Sequence, residues 1–357
     1  MRMLIATLAL LLLSACSTEN PQTRLEDYAS RVANAIDYPI NLELDTTIPP
    51  YPQARERLLD IPELREGVVN VFDLRRCGLM ELIGERNSSL GKLALPSQRL
   101  LYELRFLPPL RHCIHELQQQ PKRDTSENEL LERLQHIEQV KRQQLPRVLS
   151  NAIFNSSEMV SQFSRTHPAL EMKQAQQSGA LQPPLQRFEQ LLRMSQQPDW
   201  SLPSWSDQLE QSYFELHTRP FGAPWLKSLN MLTQTLDQTA SAINARLDER
   251  PICFNNRPNN RARIIQSVLN GWYASELQPM MSALHRSGEQ WRNGLEPLYT
   301  ELPTSPALKH YFQATLSDHH NSLWQQYIRA RDRHTDAWQR LLSQCGLMPG
   351  HSVQDDA

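Results

Sequence analysis

The sequence predicts an all-α protein: a multi-helix bundle, built as one body or as two packed helical subdomains, with a short extended strap near residues 40–52. Leucine, glutamine, arginine and glutamate are abundant, whereas only 11 of the 357 residues are glycine, and this composition favours helix. Apolar residues also recur at steps of three or four, the period of a helix with one buried face. The 25 prolines are expected in connections and first turns, which implies many helices of moderate length.

The first helix and the strap are predicted close to the N-terminus. Thr23 and Glu26 have capping-box spacing, and an apolar stripe follows up to Ile36. Residues 40–44 alternate apolar and polar side chains and lead into residues 48–52, which contain three prolines. Proline keeps the backbone extended and removes an N–H donor. We therefore expect a strap laid over the helices rather than a paired strand.

Three later helices are predicted from proline positions and apolar stripes. A helix that starts at Pro96 is expected to end near Pro108–Pro109 and to continue after a kink, because proline interrupts helical hydrogen bonds. The apolar stripe from Trp225 to residue 247 predicts a central helix. His334 falls on the apolar stripe of the last helix, so we expect a core histidine bonded to a neighbour.

The first residues have the layout of a bacterial export signal. The apolar run Leu4–Leu13 is too short for a bilayer, which needs ~20 residues. Leu13-Ser14-Ala15-Cys16 resembles the lipobox of bacterial lipoproteins, which implies cleavage before Cys16 and a stable lipid anchor containing palmitate on that sulfur. An ordinary signal peptide with a chance cysteine is the alternative. An aspartate directly after the cysteine would resemble the inner-membrane retention signal of enteric bacteria. Position 17 is a serine instead, which favours the outer membrane, with the protein facing the periplasm.

These patterns divide the chain into six segments. Residues 173–184 are rich in glutamine, serine and proline without an apolar period, which is typical of a loop. The predicted segments are a cleaved signal peptide (1–15), a lipidated tether (16–22), an N-terminal helical subdomain (23–172), a linker or loop region (173–203), a C-terminal helical subdomain (204–346) and a disordered tail (347–357).

Charge and cysteine content restrict the partners and the compartment. The chain has 37 Lys and Arg against 39 Asp and Glu and no polybasic block, so we expect no nucleic-acid partner. Four cysteines remain besides Cys16, an even number that predicts disulfides in an exported protein. We expect Cys77–Cys113 and Cys253–Cys345, because each pair then stays within its own half of the chain; free buried thiols are the alternative.

The string Glu85-Arg86-Asn87-Ser88 is the first candidate site. An acid, a base, an amide and a hydroxyl at a helix end can hold a polar ligand or partner. The same residues, with Gly91 as a left-handed cap, also form an ordinary helix stop. In this string, its lipobox and its helical pattern, the chain resembles an uncharacterised family of gammaproteobacterial lipoproteins classed as a domain of unknown function. The resemblance brings no activity, ligand or catalytic residue.

Arg257, Arg261 and Arg263 form the second candidate site. They lie in an asparagine-rich segment just before a predicted helix, where free backbone N–H groups and guanidinium groups favour a carboxylate, a phosphate or a lipid headgroup. The asparagines of this segment are equally suited to cap the helix.

No metal, cofactor or catalytic residue is predicted. His112, Cys113, His115 and Glu116 share a helical face but have no second distant ligand group. Adjacent histidines such as His319 and His320 diverge on a helix. Nucleophile-elbow, phosphate-loop and dinucleotide motifs are absent from the sequence, as is the Glu-Ser pair that helical lytic transglycosylases use.

The sequence therefore favours a non-enzymatic envelope lipoprotein that serves as an interaction or scaffold module for another envelope protein. An enzyme acting on peptidoglycan or lipid is one alternative; it would require converging carboxylates, for instance Glu81 and Glu85 near Arg86. A ligand or lipid carrier is the other, and it would require an apolar cavity between the helices.

Overall fold

The computed structural model describes residues 20–64, 74–171, 175, 178–198 and 200–348. Within them the fold is all-α, which confirms the predicted class, and the only β-type pairing there is one isolated bridge between Phe254 and Arg257. The α-helices of six or more residues are α1 (Pro21–Ile36), α2 (Met80–Asn87), α3 (Pro96–Gln119), α4 (Thr125–Phe154), α5 (Ser157–Gln162), α6 (Gln182–Ser195), α7 (Leu209–Thr218), α8 (Gly222–Glu249), α9 (Asn260–Val268), α10 (Gln278–Glu301), α11 (Pro306–Thr315) and α12 (Leu323–Gln344).

Helix α1 begins earlier than the capping-box pattern predicts. The Asn20 side chain accepts a hydrogen bond from the backbone N–H of Gln22 at 3.0 Å, and Pro21 occupies the first turn, which are both favoured at helix starts. The helix therefore includes the end of the predicted 16–22 tether. It closes at Asp37, which adopts a left-handed conformation.

The strap is confirmed, and helix side chains hold it. The side-chain amides of Asn230 and Gln234 donate to the backbone carbonyl of Asp45 at 2.9 and 2.8 Å. The Tyr51 hydroxyl donates to the backbone carbonyl of Phe154 at 3.1 Å. The extended backbone thus finds hydrogen-bond partners on α8 without a neighbouring strand, and the Tyr51 side chain attaches the strap to α4.

Helix α3 continues beyond Pro108–Pro109 as expected, but it is not interrupted there. It continues to Gln119 with both prolines inside. Leu107 and Leu110, on either side of the prolines, are fully buried, so packing offsets the hydrogen bonds that proline removes. Helix α4 packs against α3 in the opposite direction.

The predicted 173–203 linker differs from the structure in its described part. Residues 182–195 form α6, which buries Leu185, Phe188, Leu191 and Leu192. This helical spacing starts only after the prolines at 183 and 184, so the preceding glutamine- and serine-rich stretch conceals it. Because α1 also packs on α8 and α9, the buried apolar residues of the described ranges form one continuous core.

Two cysteine pairs lie at disulfide-bonding distance, in the predicted pairing. Cys77 and Cys113, with Cα atoms 5.3 Å apart, join the 3₁₀ turn Leu74–Cys77 to α3. Cys253 and Cys345, 5.0 Å apart, join the loop before α9 to the end of α12. None of the helices within the described ranges combines the length and the apolar character that crossing a bilayer requires.

Helices α8 and α10 meet where the indole of Trp225 lies on Gly288. Trp225 is fully buried, and its Nε1 donates to the backbone carbonyl of Leu284 at 2.9 Å. A Cβ atom at Gly288 would lie 2.2 Å from Cζ2 of this indole. Gly288 is therefore required for the close approach of the two helices.

His334 is a core histidine, as predicted. It is fully buried; its Nε2 lies 2.8 Å from the Tyr28 hydroxyl, to which the Trp338 indole N–H donates at 3.0 Å. Burial lowers the pKa of His334 to about 3, because the apolar surroundings disfavour the imidazolium. The cluster thus joins α1 to α12 through a neutral ring.

We expect Gly288→Ala to destabilise the protein by about 2 kcal/mol, because the added methyl group must displace the Trp225 ring. The midpoint of urea unfolding measures this loss. Gly84→Ala is the matched control: Gly84 also lies within a helix, but a Cβ there meets no atom within 4 Å. We expect that control to gain up to ~1 kcal/mol from helix propensity. Equal midpoints for the two variants would contradict the assignment.

We also expect the free energy of unfolding to fall by about 2 kcal/mol between pH 6.5 and pH 5 through His334 alone. The unfolded chain takes up this proton near pH 6.5, whereas the folded chain takes it up only near pH 3. Stability from this group is therefore lost as the pH falls below 6.5. Urea unfolding at both pH values should show a smaller pH dependence for His334→Gln than for the native chain. His112→Gln, at an exposed histidine, should keep the native dependence.

Candidate functional site

A cleft of about 430 Å³ lies between α2, α3 and α4. Leu74, Phe106 and Ile137 are buried beneath it and form an apolar floor. On this floor, Nζ of Lys141 pairs with Oε2 of Glu103 at 2.8 Å and lies 4.4 Å from the centroid of the Phe106 ring. The charge of Lys141 is thus already compensated.

The rim of the cleft carries uncompensated positive charge. Arg86 and Arg99 are half-buried, Lys92 is exposed, and none of the three forms an ion pair in the described part of the chain. Among the described residues, four cationic and two acidic side chains line the cleft. We call it the cationic cleft, defined by Arg86, Lys92, Arg99, Tyr102 and Lys141. Its surplus of guanidinium and ammonium donors is suited to a carboxylate or phosphate group.

The end of α2 places Arg86 in this cleft. The Ser88 hydroxyl accepts a hydrogen bond from the Gly91 N–H at 3.0 Å, and Nη1 of Arg86 donates to the Gly91 carbonyl at 3.1 Å. A Cβ at Gly91 would lie 2.1 Å from the Glu85 carbonyl oxygen, so the turn admits only glycine. The string therefore both ends α2 and contributes to the cleft. Gly91 is not the left-handed cap that was expected: it is not among the described residues with a positive φ, and it is required by the lack of space for a Cβ.

Of the first predicted site, Arg86 and Asn87 line the cleft, whereas Glu85 and Ser88 do not. Sequence reasoning missed the rest of the cleft. Arg99, Tyr102 and Phe106 follow at steps of three and four along one face of α3, a signal that the sequence contains.

Tyr102 adds a neutral hydrogen-bond donor to the cleft wall. Burial raises the pKa of its hydroxyl well above the ordinary value and the Glu103 carboxylate adds to the increase, while the Arg86 guanidinium opposes it. The hydroxyl makes no hydrogen bond to another described residue. It therefore stays protonated and can donate to an anion in the cleft.

The three arginines of the second predicted site do not act together in the structure. Arg261 donates to the backbone carbonyls of Asn34 and Ala35 at the end of α1, at 3.0 and 3.3 Å, where cations complement the helix dipole. Arg263 donates to the Asn260 side chain, and Arg257 is exposed. The Asn259 side chain accepts from the Ala262 N–H at 2.9 Å, so an asparagine caps α9.

The residues considered for metal binding and for acid catalysis do not converge. Cys113 is paired with Cys77, and His112 pairs with Glu116 on the exposed face of α3. No group of three His, Cys, Asp or Glu side chains within the described ranges is placed to hold a metal ion. Glu81 and Glu85 are exposed and lie outside the cationic cleft.

A second cleft, of about 420 Å³, lies between α1 and a π-helical segment, Leu269–Leu277, that joins α9 to α10. Its charges are compensated: Arg24 pairs with Glu276 at 3.2 Å, and Asp27 pairs with Arg31 at 2.9 Å. The cationic cleft is therefore the stronger candidate, because Arg86, Lys92 and Arg99 have no acidic partner in the described part of the chain.

The comparisons with known proteins find a family and no function. No curated protein and no solved structure matches the chain. A family model described as a protein of unknown function (DUF3080) matches residues 25–349, a range that begins after Cys16 and includes the cationic cleft. The expectation of an uncharacterised family is confirmed by this match: the chain belongs to the DUF3080 family of proteins of unknown function.

Proposed function

We propose that this protein is a lipid-anchored envelope protein that acts as a non-enzymatic interaction module and binds an anionic group of its partner in the cationic cleft. It is anchored through Cys16 to the outer membrane, and its helical body faces the periplasm. The proposal has two parts, a compartment and a binding activity, and each has its own support and its own test.

The paired cysteines support the compartment. Cys77 with Cys113 and Cys253 with Cys345 are placed to form cross-links, which form and persist in an oxidising compartment. The lipobox resemblance at Cys16 supports the anchor, although Cys16 lies outside the described residues. Ser17 favours the outer membrane over the inner membrane.

The single observation that carries the binding activity is the set of three unpaired cations around one cleft. Arg86, Lys92 and Arg99 have no acidic partner in the described ranges. A guanidinium group binds a carboxylate or phosphate through two parallel hydrogen bonds, and each hydrogen bond to a charged group contributes about 1.5–3 kcal/mol. An anion in this cleft would thus gain several charge-assisted contacts.

The acids of the cleft favour binding over catalysis. Glu103 is held by Lys141 at 2.8 Å, and Glu63 also has an interaction partner. A hydrolase would need a carboxylate that is free to transfer a proton to the substrate. The alternative of a lipid carrier would need an enclosed apolar cavity, whereas this cleft has an apolar floor but a charged rim.

We expect Cys16→Ala to abolish palmitate labelling and to remove the protein from the membrane fraction, because the acyl chains would have no sulfur to attach to. Metabolic labelling and cell fractionation measure both effects. Ser17→Ala is the control and should keep label and location. If Cys16→Ala retains both, the anchor is refuted.

We expect inorganic phosphate to bind the cationic cleft, with an affinity that falls as the salt concentration rises. Arg99→Gln should weaken this binding about tenfold, the effect of losing one charge-assisted hydrogen bond. Arg105→Gln is the matched control on the same helix, because Arg105 pairs with Asp207 outside the cleft. Titration calorimetry measures both affinities. Equal affinities for the two variants would show that phosphate does not bind in the cleft.

A further inference from the structure

Three leucines on either side of Lys92, a residue that lines the cationic cleft, are exposed to solvent. Leu90, Leu93 and Leu95 have exposed fractions of 83%, 82% and 63%. We call them the leucine turn. Isolated apolar residues on a surface are common, but a cluster of large ones within six residues marks an interaction site.

The backbone of the leucine turn is held by hydrogen bonds to its neighbouring helices. Its first half is fixed by the Ser88 cap, by the hydrogen bond from Arg86 to the Gly91 carbonyl and by the absence of space for a Cβ at Gly91. The backbone N–H of Arg99 then donates to the Leu95 carbonyl at 3.0 Å. The turn is thus bonded to α2 on one side and to α3 on the other, and it holds the leucines outward.

The cations of the cleft alternate with these leucines along the chain. Lys92 lies between Leu90 and Leu93, while Arg86 and Arg99 lie four residues outside the turn on either side. All three cations line the cleft. Apolar side chains and unpaired positive charges thus belong to a single surface.

We propose that this surface docks on a bilayer of anionic lipids: the leucine turn enters the interfacial region while the cationic cleft binds a lipid phosphate. This inference rests on the proposed anion-binding function and names the source of the anion. Exposed leucines beside lysine and arginine are the combination by which proteins bind at an anionic membrane surface. The long cationic side chains can reach the headgroups while the leucines contact the acyl chains.

A bilayer fits this surface better than a second copy of the chain. A stable interface between two proteins buries about 1,200–2,000 Å², far more than three leucines supply. The other large exposed apolar residues, Leu58, Phe214, Phe254 and Ile264, lie on other elements of the described chain. Three unpaired cations would also repel their copies across a symmetric contact, whereas an anionic lipid surface attracts them.

The test uses the mature chain, residues 16–357, with Cys16→Ser, so that no acyl chain contributes to binding. We expect it to co-sediment with vesicles that contain phosphatidylglycerol at least tenfold more strongly than with vesicles of phosphatidylcholine alone. The double variant Leu90→Asn/Leu93→Asn, called the leucine-turn variant, should bind the anionic vesicles about tenfold more weakly. Lys92→Gln should lose about fivefold.

The matched control is Phe254→Asn/Ile264→Asn, which removes two apolar residues, 68% and 51% exposed, in the loop before α9 and in α9. It should bind anionic vesicles like the parent chain. Equal binding by the leucine-turn variant and this control would overturn the proposal, and so would a change in self-association by the leucine-turn variant without a change in vesicle binding.

Titration with glycerol 1-phosphate separates this inference from the proposed function. The leucine-turn variant should bind this soluble headgroup like the parent chain, because its cleft is intact. If glycerol 1-phosphate binds but vesicle binding does not depend on the leucines, the proposed docking on a bilayer is overturned and the proposed anion site is retained. Absence of both would overturn the two proposals together.

Discussion

The contact between the Trp225 ring and Gly288 is the constraint on which the helical body depends. It sets the distance between α8 and α10, and aromatic packing continues outward from it. The ring centroid of Phe221 lies 6.2 Å from that of Trp225 and 5.6 Å from that of Trp291. The ring centroids of Trp291 and Phe163 are 6.2 Å apart. Tyr51 of the strap stacks on Phe163 at 4.8 Å. The extended segment is thereby packed on the same core as the central helices.

The cationic cleft lies outside this aromatic core, and a cysteine pair joins two of the elements that line it. Leu74 in its floor belongs to the turn that ends at Cys77, whereas Arg99 and Tyr102 on its wall belong to α3, which carries Cys113. The Cys77–Cys113 pair therefore joins floor to wall.

Local sequence patterns predicted several features of the fold correctly, but they did not predict the places where segments distant in sequence pack together. The helical class, the strap, the cysteine pairing and the buried position of His334 follow from composition, proline spacing, cysteine count and apolar period. The continuity of α3 through Pro108–Pro109 does not, because burial of the flanking leucines outweighs the propensity of proline. The cleft could be predicted only at Arg86 and Asn87. The spacing of Arg99, Tyr102 and Phe106 indicates that they share one face of α3, but no local pattern shows which segments pack beside that face. Arg261 shows the converse, because tertiary structure directs this arginine to the end of α1.

The string at the end of α2 also shows that a structural and a functional role need not compete for the same residue. Arg86 uses one nitrogen to hold the Gly91 carbonyl, and a guanidinium group has five N–H donors, so the others can serve a ligand. The turn that this bond closes directs leucines outward while the cations beside them line the cleft. A bilayer surface presents the complementary order, with phosphates outside and acyl chains beneath. Apolar side chains that project furthest reach the acyl chains, and the cations behind them meet the phosphates, so one tight turn is sufficient to match both layers.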